Sequence, residues 1–197
     1  DALNHRVQQF TKDGRYLSSW GEFGDGESQL NMPWGVNVDE LGDVYVADWR
    51  NDRIQKFSGD GEFQFAFGSS GDGNGEFNRP TGVVVDLDGD IYVVDWGNNR
   101  VQQFDATGRY LYKFTGDAII SKIGRNYLMA NAKSLRQREM MCTETQKLLR
   151  SPQSAKLDAE RRLFIADYGR HRIQIYKKEA YPLTEAEIVP PMRVPTL

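Results

Sequence analysis

The sequence is poor in the residues that most often carry out catalysis or bind metals. Among its 197 residues there is one cysteine, Cys142, and there are two histidines, His5 and His171. A single cysteine excludes an internal disulfide framework and favours neither an oxidising nor a reducing compartment. No Ser/His/Asp constellation on a strained nucleophile turn is present. The glycine-rich segment 68–75 lacks the Lys-Ser/Thr pair of a phosphate-binding loop.

Long apolar runs and an excess of positive charge are also missing. No stretch of about 18 apolar residues occurs, so we expect no membrane-spanning helix. The 25 lysines and arginines are outnumbered by 28 aspartates and glutamates, which gives a net charge of −3. Proteins that bind nucleic acid with their whole surface are usually basic, so the charge argues against that class.

What the sequence does contain is internal repetition. A five-residue pattern that begins at Asn4 returns at Asn51, at Asn98 and at Arg170. The arginines of the first three copies, Arg6, Arg53 and Arg100, are evenly spaced. Repetition at a period of roughly 40–50 residues is typical of modular arrays. Residues that recur in every copy are expected to be scaffold, so function should be sought where the copies differ.

One complete copy, from Pro33 to Phe67, predicts four short strands. Residues 35–39, 44–48, 53–57 and 62–67 are rich in β-branched and aromatic side chains, and glycine-containing turns separate most of them. The copy that starts at Pro80 matches it almost position by position. Four strands joined by tight turns are the unit of a β-propeller, in which each unit is called a blade.

The segments that carry the repeat, 33–36, 44–48 and 51–57 with their later copies, resemble the NHL repeat family. The resemblance covers nearly all of residues 1–114 and 152–178. It implies a six-bladed β-propeller and a function that is protein binding, RNA binding or enzymatic. We therefore predict an all-β fold, a partial and open propeller of four-stranded antiparallel blades with a helical insertion.

The predicted organisation has three parts. The propeller segment, residues 1–178, contains blades at 33–79 and 80–114 and partial blades at 1–32 and 152–178. Residues 115–151 form an insertion, and residues 179–197 form an extended, proline-rich C-terminal tail. Because the sequence enters a blade at its third strand and lacks an initial methionine, we expect it to be the C-terminal half of a longer propeller. The alternative is a two-fold homodimer that completes the ring.

The insertion differs from the repeats in composition. Residues 126–150 contain no glycine or proline and are rich in good helix formers, so we predict one or two helices. The segment is basic, and the cations that we single out are Lys133, Arg136, Arg138 and Lys147. It could contact RNA, an acidic protein or a phosphorylated ligand. The alternative is a solvated helix that lies across the acidic body of the molecule.

Aromatic residues occupy matching positions in three predicted loops. These residues are Trp49, Trp96 and Tyr168, and with Arg50, Asn98, Arg170 and His171 they define a predicted rim surface. Such aromatics could stack bases or hold a peptide. Alternatively, they wedge neighbouring blades together.

Metal binding is chemically possible at two places. His5 and His171 occupy equivalent positions, which allows a zinc site at the mouth of a closed ring. Residues 86–90, with aspartates at alternate positions, resemble the opening of a calcium loop but lack its downstream glutamate. We predict hydrogen-bonding roles for both histidines, and structural roles for Asp48, Asp95 and Asp167. No metal or cofactor is predicted.

The sequence thus favours a non-catalytic scaffold that presents its rim to a protein partner. The alternatives are a metal-assisted lyase or lactone hydrolase of the propeller type, and an RNA-binding propeller. Bound metal would favour the first alternative, and strongly salt-dependent binding would favour the second.

Overall fold

The computed structural model describes residues 1–116, 130–131 and 144–178. Short helical turns cover Ala2–Asn4, Tyr168–Arg170 and helix α1 (Glu144–Lys147). The strands are, in chain order, β1 (Val7–Phe10), β2 (Tyr16–Trp20), β3 (Glu22–Phe23), β4 (Gln29–Leu30), β5 (Pro33–Val38), β6 (Val44–Asp48), β7 (Arg53–Phe57), β8 (Phe63–Phe67), β9 (Ser69–Ser70), β10 (Glu76–Phe77), β11 (Pro80–Val85), β12 (Ile91–Asp95), β13 (Arg100–Phe104), β14 (Tyr110–Phe114), β15 (Pro152–Leu157), β16 (Arg162–Asp167) and β17 (Arg172–Lys177).

The longer strands form consecutive antiparallel sheets. We call β1-β2 the first blade, β5-β6-β7-β8 the second, β11-β12-β13-β14 the third and β15-β16-β17 the fourth. Short parallel ladders, β3-β4 and β9-β10, lie in the connectors that lead from one blade to the next. Antiparallel sheets in this order form an open β-propeller, so the predicted fold class is confirmed.

The hydrophobic core lies between the blades. In β6, Val44 and Val46 pack in the cluster shared with the first blade, whereas Tyr45 and Ala47 pack in the cluster shared with the third. This alternation arises because successive side chains of a strand point to opposite faces of the sheet. Every residue of β6 and of β12 is buried. Each complete blade therefore depends on its neighbours for its hydrophobic contacts.

The first strands of successive blades, β5, β11 and β15, lie side by side and are innermost. Their approach is close at Gly35, where a Cβ atom would lie 2.6 Å from the carbonyl oxygen of Thr81 and 2.7 Å from the Cα of Gly82. A glycine is therefore required at position 35, because the backbone of the next blade leaves no room for a side chain. The equivalent residue, Gly82, has more room, since a Cβ there would meet its nearest atom at 3.5 Å, on Val94.

Turns of four or five residues join the first strand to the second, and turns of five residues join the third to the fourth. In the turn after β11, the Gly89 N–H donates to the Asp86 carbonyl, and Asp86 Oδ1 accepts the N–H groups of Asp88 and Asp90. Asp and Gly are the residues that such turns favour. The same carboxylate bonds occur in the turns that begin at Asp39, Asp105 and Asp158. These turns lie at one end of the strands, which we call the turn face.

The arc is open, and apolar side chains are exposed at both of its ends. Ile173 of the fourth blade is 65% exposed. Val36 and Val38 of β5 are also exposed, because the first blade has only β1 and β2 in this chain and presents no inner strand to them.

Within the predicted insertion the structure describes residues 115–116, 130–131 and 144–151, which include α1. The predicted tail, residues 179–197, lies outside the described residues. In the described ranges we find no helix that combines the length and the apolar character needed to cross a lipid bilayer.

Candidate functional site

The end of the arc opposite the turn face carries the longer loops. After the second strand of each of the later blades the chain forms a loop, at residues 48–53, 95–100 and 167–172. The connectors to the next inner strand finish beside these loops, at residues 30–33, 77–80 and 149–152. Both sets lie at the same end because consecutive strands of an antiparallel sheet reverse direction. We call this end the loop face.

A buried aspartate organises each loop. Asp95 has no exposed surface, and its carboxylate accepts four hydrogen bonds, from the Asn78 N–H (2.8 Å), Asn98 Nδ2 (3.0 Å), Arg100 Nε (2.7 Å) and Gln102 Nε2 (3.4 Å). Burial raises the pKa of Asp95, and the hydrogen bonds from Asn78, Asn98 and Arg100 oppose that rise. The Asp95 carboxylate is therefore hydrogen-bonded entirely within the protein.

Arg100 extends this network into the preceding connector. Its Nη1 donates to the carbonyl oxygen of Asp72, and its Nη2 donates to those of Gly73 and Glu76, at 2.7–2.8 Å. The planar fork of a guanidinium suits such multiple contacts. Arg53 and Arg172 make the equivalent contacts in their own blades. The network thus attaches each connector to the loop beside it.

The same aspartate network recurs along the chain. Asp48, Asp167 and, in the first blade, Asp1 accept the corresponding bonds. Asp48, Asp95 and Asp167 each accept a backbone N–H and the guanidinium of the arginine that follows, in agreement with the structural role predicted for them. Because these carboxylates are occupied, their role is structural.

A second type of hydrogen bond couples each loop to the next blade. The Met32 N–H donates to His5 Nδ1 at 3.1 Å, the Arg79 N–H to Asp52 Oδ1 at 2.6 Å, and the Ser151 N–H to Asn99 Oδ1 at 2.7 Å. The three acceptor residues share a left-handed backbone conformation. His5 is thus a hydrogen-bonding residue, as predicted. His171 has the same conformation at the equivalent position of the fourth blade.

Close to the inner strands, the loop face contains a pocket of ≈ 200 Å³, which we call the channel-mouth pocket. It is lined by two loop tryptophans, Trp49 and Trp96, and by the residue that follows the first proline of each inner strand, namely Trp34, Thr81 and Gln153. Because the inner strands surround the central channel of a propeller, the pocket lies at the mouth of that channel. Aromatic lining with few polar groups is typical of ligand sites.

Thr81 gives the channel-mouth pocket a polar atom without a protein partner. The residue is 8% exposed, and its Oγ1 is buried with no hydrogen bond to any described residue. A buried hydroxyl without a partner costs roughly 1–3 kcal/mol. The fold bears this cost in a residue that lines the channel-mouth pocket.

Cationic and aromatic groups surround Trp49. The Arg79 guanidinium carbon lies 5.0 Å from the centre of the Trp49 ring, and that of Arg50 lies 5.7 Å from it. Both distances fall within the range of cation–π contacts. The Trp34 ring is 5.8 Å from the Trp49 ring and is 61% exposed. Both arginines are exposed, and neither forms an ion pair with a described residue, so they are unpaired cations beside the pocket.

The structure places only some of the predicted rim residues at this pocket. Trp49 and Trp96 line it, and Arg50 borders it through its contact with Trp49. Asn98 instead belongs to the aspartate network, since its Nδ2 donates to Asp95 and to the Gly71 carbonyl.

The remaining rim residues lie on the loop of the fourth blade. Tyr168 is 62% exposed, with its ring 6.4 Å from that of His171. Arg170 Nη2 donates to the carbonyl oxygen of Thr145, just N-terminal to the fourth blade. These three residues share the loop face but do not line the channel-mouth pocket.

The basic insertion residues Lys133, Arg136 and Arg138 lie outside the described residues. Lys147 ends helix α1, and its carbonyl oxygen accepts a hydrogen bond from Arg172 Nη2 at 2.9 Å. This part of the insertion therefore takes the place of the connector that Arg53 and Arg100 hold in the earlier blades.

Sequence reasoning missed Trp34, Thr81 and Gln153. The signal was present, because all three follow the proline that opens an inner strand and yet differ in chemistry. Each belongs to a different blade, however, and only the packing of β5, β11 and β15 brings them to one pocket.

The aspartates of segment 86–90, which resembles the opening of a calcium loop, bind a side chain of the same molecule. The ammonium of Lys178 donates to Asp86 Oδ2 (2.8 Å), Asp88 Oδ2 (2.9 Å) and Asp90 Oδ2 (2.8 Å). Burial works to lower the pKa of Lys178, but the hydrogen bonds to the three aspartates outweigh it and raise that pKa. The bond from Lys178 in turn lowers the pKa of Asp88. The three carboxylates thus converge on a cation that the chain itself supplies.

The part of the chain that the structure describes, residues 1–116, 130–131 and 144–178, contains no group of three or more His, Cys, Asp or Glu side chains that is arranged to hold a metal ion. The aspartates of segment 86–90 are among the side chains to which this applies. The two histidines that were considered as zinc ligands lie in different blades, His5 in the first and His171 in the loop of the fourth.

Fold and loop-face geometry place the chain among the β-propellers. It belongs to a family that is described as a 6-bladed beta-propeller, whose model matches residues 36–185. A search of curated proteins finds no match.

Solved structures of similar fold include two lyases. A streptogramin B lyase aligns with a TM-score of 0.53 and 16% identity over 90% of this chain and 49% of the other. Virginiamycin B lyase from Staphylococcus aureus aligns with a TM-score of 0.51 and 13% identity over 91% of this chain and 51% of the other. A protein of unknown function from Bacteroides caccae aligns with a TM-score of 0.52 and 14% identity over 88% of this chain and 54% of the other. At such identities the likeness shows the fold alone, and the chain spans about half the length of these structures.

Proposed function

We propose that the chain is a segment of an NHL-type propeller that acts as a non-catalytic binding scaffold and presents its loop face to a protein partner. The observation that carries this proposal is the channel-mouth pocket, where Trp34, Trp49 and Trp96 surround a concave space. Trp and Tyr are the residues that most often dominate binding energy at protein interfaces. The exposed Arg50 beside the pocket belongs to another residue type that is enriched at such sites.

Binding is favoured over catalysis because the carboxylates near the pocket are already hydrogen-bonded within the protein. Asp48 and Asp95 each accept bonds from an arginine, an asparagine and a backbone N–H. A general base must be free to reach the proton that it removes. The lyase alternative is supported only by the names of structures that share the fold.

Completion of the ring by further blades is a second part of the proposal. Ile173 is 65% exposed, whereas Ile54 and Val101, the equivalent residues of the second and third blades, are fully buried between blades. A side chain at this position is therefore expected to be covered by a following blade. That blade is supplied either by the rest of a longer polypeptide or by a second copy of the chain, and the native mass in solution distinguishes the two.

The scaffold function is tested by selecting random linear peptides displayed on phage against the immobilised protein. We expect related sequences to be enriched on the wild-type protein and lost on the double variant Trp34→Ala/Trp49→Ala. Tyr112→Ala is the matched control, because Tyr112 is also an exposed aromatic but lies on outer strand β14. Failure to enrich any sequence, or equal enrichment on all three proteins, would refute the proposal.

The enzymatic alternative is tested with virginiamycin B, the compound in the name of one similar structure. We expect its amount, followed by mass spectrometry, to stay constant during incubation with the protein. Consumption that is abolished by His171→Ala would establish the lyase function instead.

A further inference from the structure

We infer that the channel-mouth pocket binds a tyrosine side chain flanked by carboxylates, that is, an acidic peptide with one tyrosine anchor. This inference rests on the proposed binding function and names the class of ligand for the same site. It is carried by the volume of the pocket, by the unpartnered hydroxyl of Thr81 and by the two exposed arginines.

The volume of the pocket matches a single aromatic ring. An apolar cavity of about 150 Å³ is sufficient for benzene, and the channel-mouth pocket measures ≈ 200 Å³. Its walls are the rings of Trp34, Trp49 and Trp96, which favour edge-to-face or offset contact with another ring. One ring of phenylalanine or tyrosine size fits the space.

Thr81 distinguishes between these two side chains. It is the most buried residue of the lining, at 8% exposed, so we expect the far end of an inserted ring to lie beside it. Its Oγ1 has no partner among the described residues. A tyrosine hydroxyl supplies the missing hydrogen bond, whereas phenylalanine leaves the threonine hydroxyl buried and unbonded.

The charges around the opening favour acidic flanking residues. Arg50 and Arg79 lie against Trp49 and have no carboxylate partner among the described residues. The nearby Asp48 and Asp95 are buried and bonded, and Asp52 Oδ1 accepts the Arg79 N–H. Carboxylates on either side of the anchor therefore meet unpaired guanidinium groups, which is electrostatic complementarity.

A peptide fits these features better than single-stranded RNA does. Sites for single-stranded nucleic acid use a positively charged groove that follows the backbone and aromatic platforms on which successive bases stack. Here the ring of Trp49 is flanked by Trp34, Arg50 and Arg79, and the pocket admits one ring.

The test uses four synthetic, fluorescently labelled peptides that share one scaffold sequence. Their central residues are Glu-Tyr-Glu, Glu-Phe-Glu, Gln-Tyr-Gln and Lys-Tyr-Lys, and binding is measured by anisotropy at low salt. We expect Glu-Tyr-Glu to bind most tightly, and Glu-Phe-Glu to bind roughly three- to tenfold more weakly for loss of one hydrogen bond. We expect Lys-Tyr-Lys to bind least.

Three variants assign these preferences to residues. Thr81→Val should bind the Tyr and Phe peptides equally, and its melting temperature shows whether it folds. Arg50→Ala/Arg79→Ala should bind the Glu and Gln peptides equally. Tyr112→Ala, the control, should retain every preference. A Tyr-over-Phe preference that persists in Thr81→Val, or Lys-Tyr-Lys binding as tight as Glu-Tyr-Glu, would overturn the inference.

Two further outcomes separate this inference from the proposed function. If none of the four peptides binds but phage selection still yields tryptophan-dependent sequences, the inference fails and the scaffold function stands. If an oligo(U) RNA displaces the Glu-Tyr-Glu peptide with a steep salt dependence, the site is a nucleic-acid site and the inference is overturned.

Discussion

The loop face and the turn face are built from the same repeat, yet they use charge in opposite ways. On the turn face the acidic side chains stay near the surface and are neutralised by local cations, as Asp43 is by Lys56 and Asp158 by Arg162. On the loop face the repeated aspartates are buried in their networks, and Trp34, Arg50 and Arg79 are exposed instead. The difference shows that burying the repeated carboxylates leaves the surrounding surface free to vary from blade to blade.

The largest effect is expected where the loop face depends on a buried charge. Asp95→Ala leaves the Arg100 guanidinium, which is nearly buried, without its counter-ion. Removing one partner of such a pair costs about 3–5 kcal/mol. Urea denaturation should show this decrease in the free energy of unfolding. Asp60→Asn, an exposed change on the turn face, should alter it by no more than about 0.5 kcal/mol. Equal losses in the two variants would remove the contrast between the faces.

A smaller effect is expected where the inner strands meet beneath the channel-mouth pocket. The Cβ of Gly35→Ala would press against the backbone of Thr81 and Gly82, which overpacks the site at a cost of about 1–3 kcal/mol. Gly82→Ala has room for its Cβ and should change the free energy of unfolding by no more than about 0.5 kcal/mol. Thermal or urea unfolding of both variants checks this pair. A loss as large in Gly82→Ala would show that the close approach is not specific to position 35.

The turn face is tested by removing Lys178, a cation that joins the third and fourth blades. Lys178→Ala deprives Asp86, Asp88 and Asp90 of their shared ammonium and should destabilise the protein by about 1–2 kcal/mol at low salt. Salt should reduce this loss of stability. Screening weakens the attraction between Lys178 and the three aspartates in the wild-type protein, and it also weakens the repulsion among the aspartates in the variant. Lys177→Ala, an exposed neighbour, should have little effect in the same unfolding measurement.

The smallest effect is expected from an exposed turn and takes the form of a pH dependence. Hydrogen bonds from the Thr107 hydroxyl and the Arg109 and Thr107 N–H groups lower the pKa of Asp105 from 3.8 to about 2. A carboxyl with a lowered folded-state pKa stabilises the protein above its ordinary pKa, and that contribution is lost as the pH falls from 3.8 toward 2. The difference in melting temperature between wild type and Asp105→Asn should shrink over this window.

Thr107→Val provides the matched comparison for the Asp105 turn. It removes the hydroxyl donor at 2.6 Å but keeps the backbone N–H donors. Its melting temperature should therefore depend less on pH than that of the wild type, and more than that of Asp105→Asn. A constant difference across the window would show that Asp105 contributes no pH dependence.

Much of the fold was predictable from local pattern. Strand β6 and its copy β12 follow from β-branched and aromatic residues between turns, and the turns follow from Asp and Gly at set positions. The short parallel ladders β3-β4 and β9-β10 were not predicted, since two-residue strands in a glycine-rich connector have no pattern of their own. The guanidinium groups of Arg53 and Arg100 hold those connectors from the following blade.

The candidate site was predictable only in part. Trp49 and Trp96 stand out in the sequence because an aromatic recurs at one loop position, and Arg50 stands out as the neighbour of Trp49. Thr81 and Gln153 do not, because nothing in their neighbours shows that inner strands of different blades meet there. Similarly, the sequence of residues 86–90 resembles a calcium loop, and only the structure reveals that Lys178 occupies it.

The sequence by itself determined the repeat, the blades and the role of the buried aspartates, because strand alternation, turn chemistry and the bonds of each network act over short or regularly repeated distances. The tertiary structure alone decided which variable residues share a pocket and which charges neutralise each other. These outcomes depend on how neighbouring blades pack around a common axis, and that packing brings together side chains far apart in the chain.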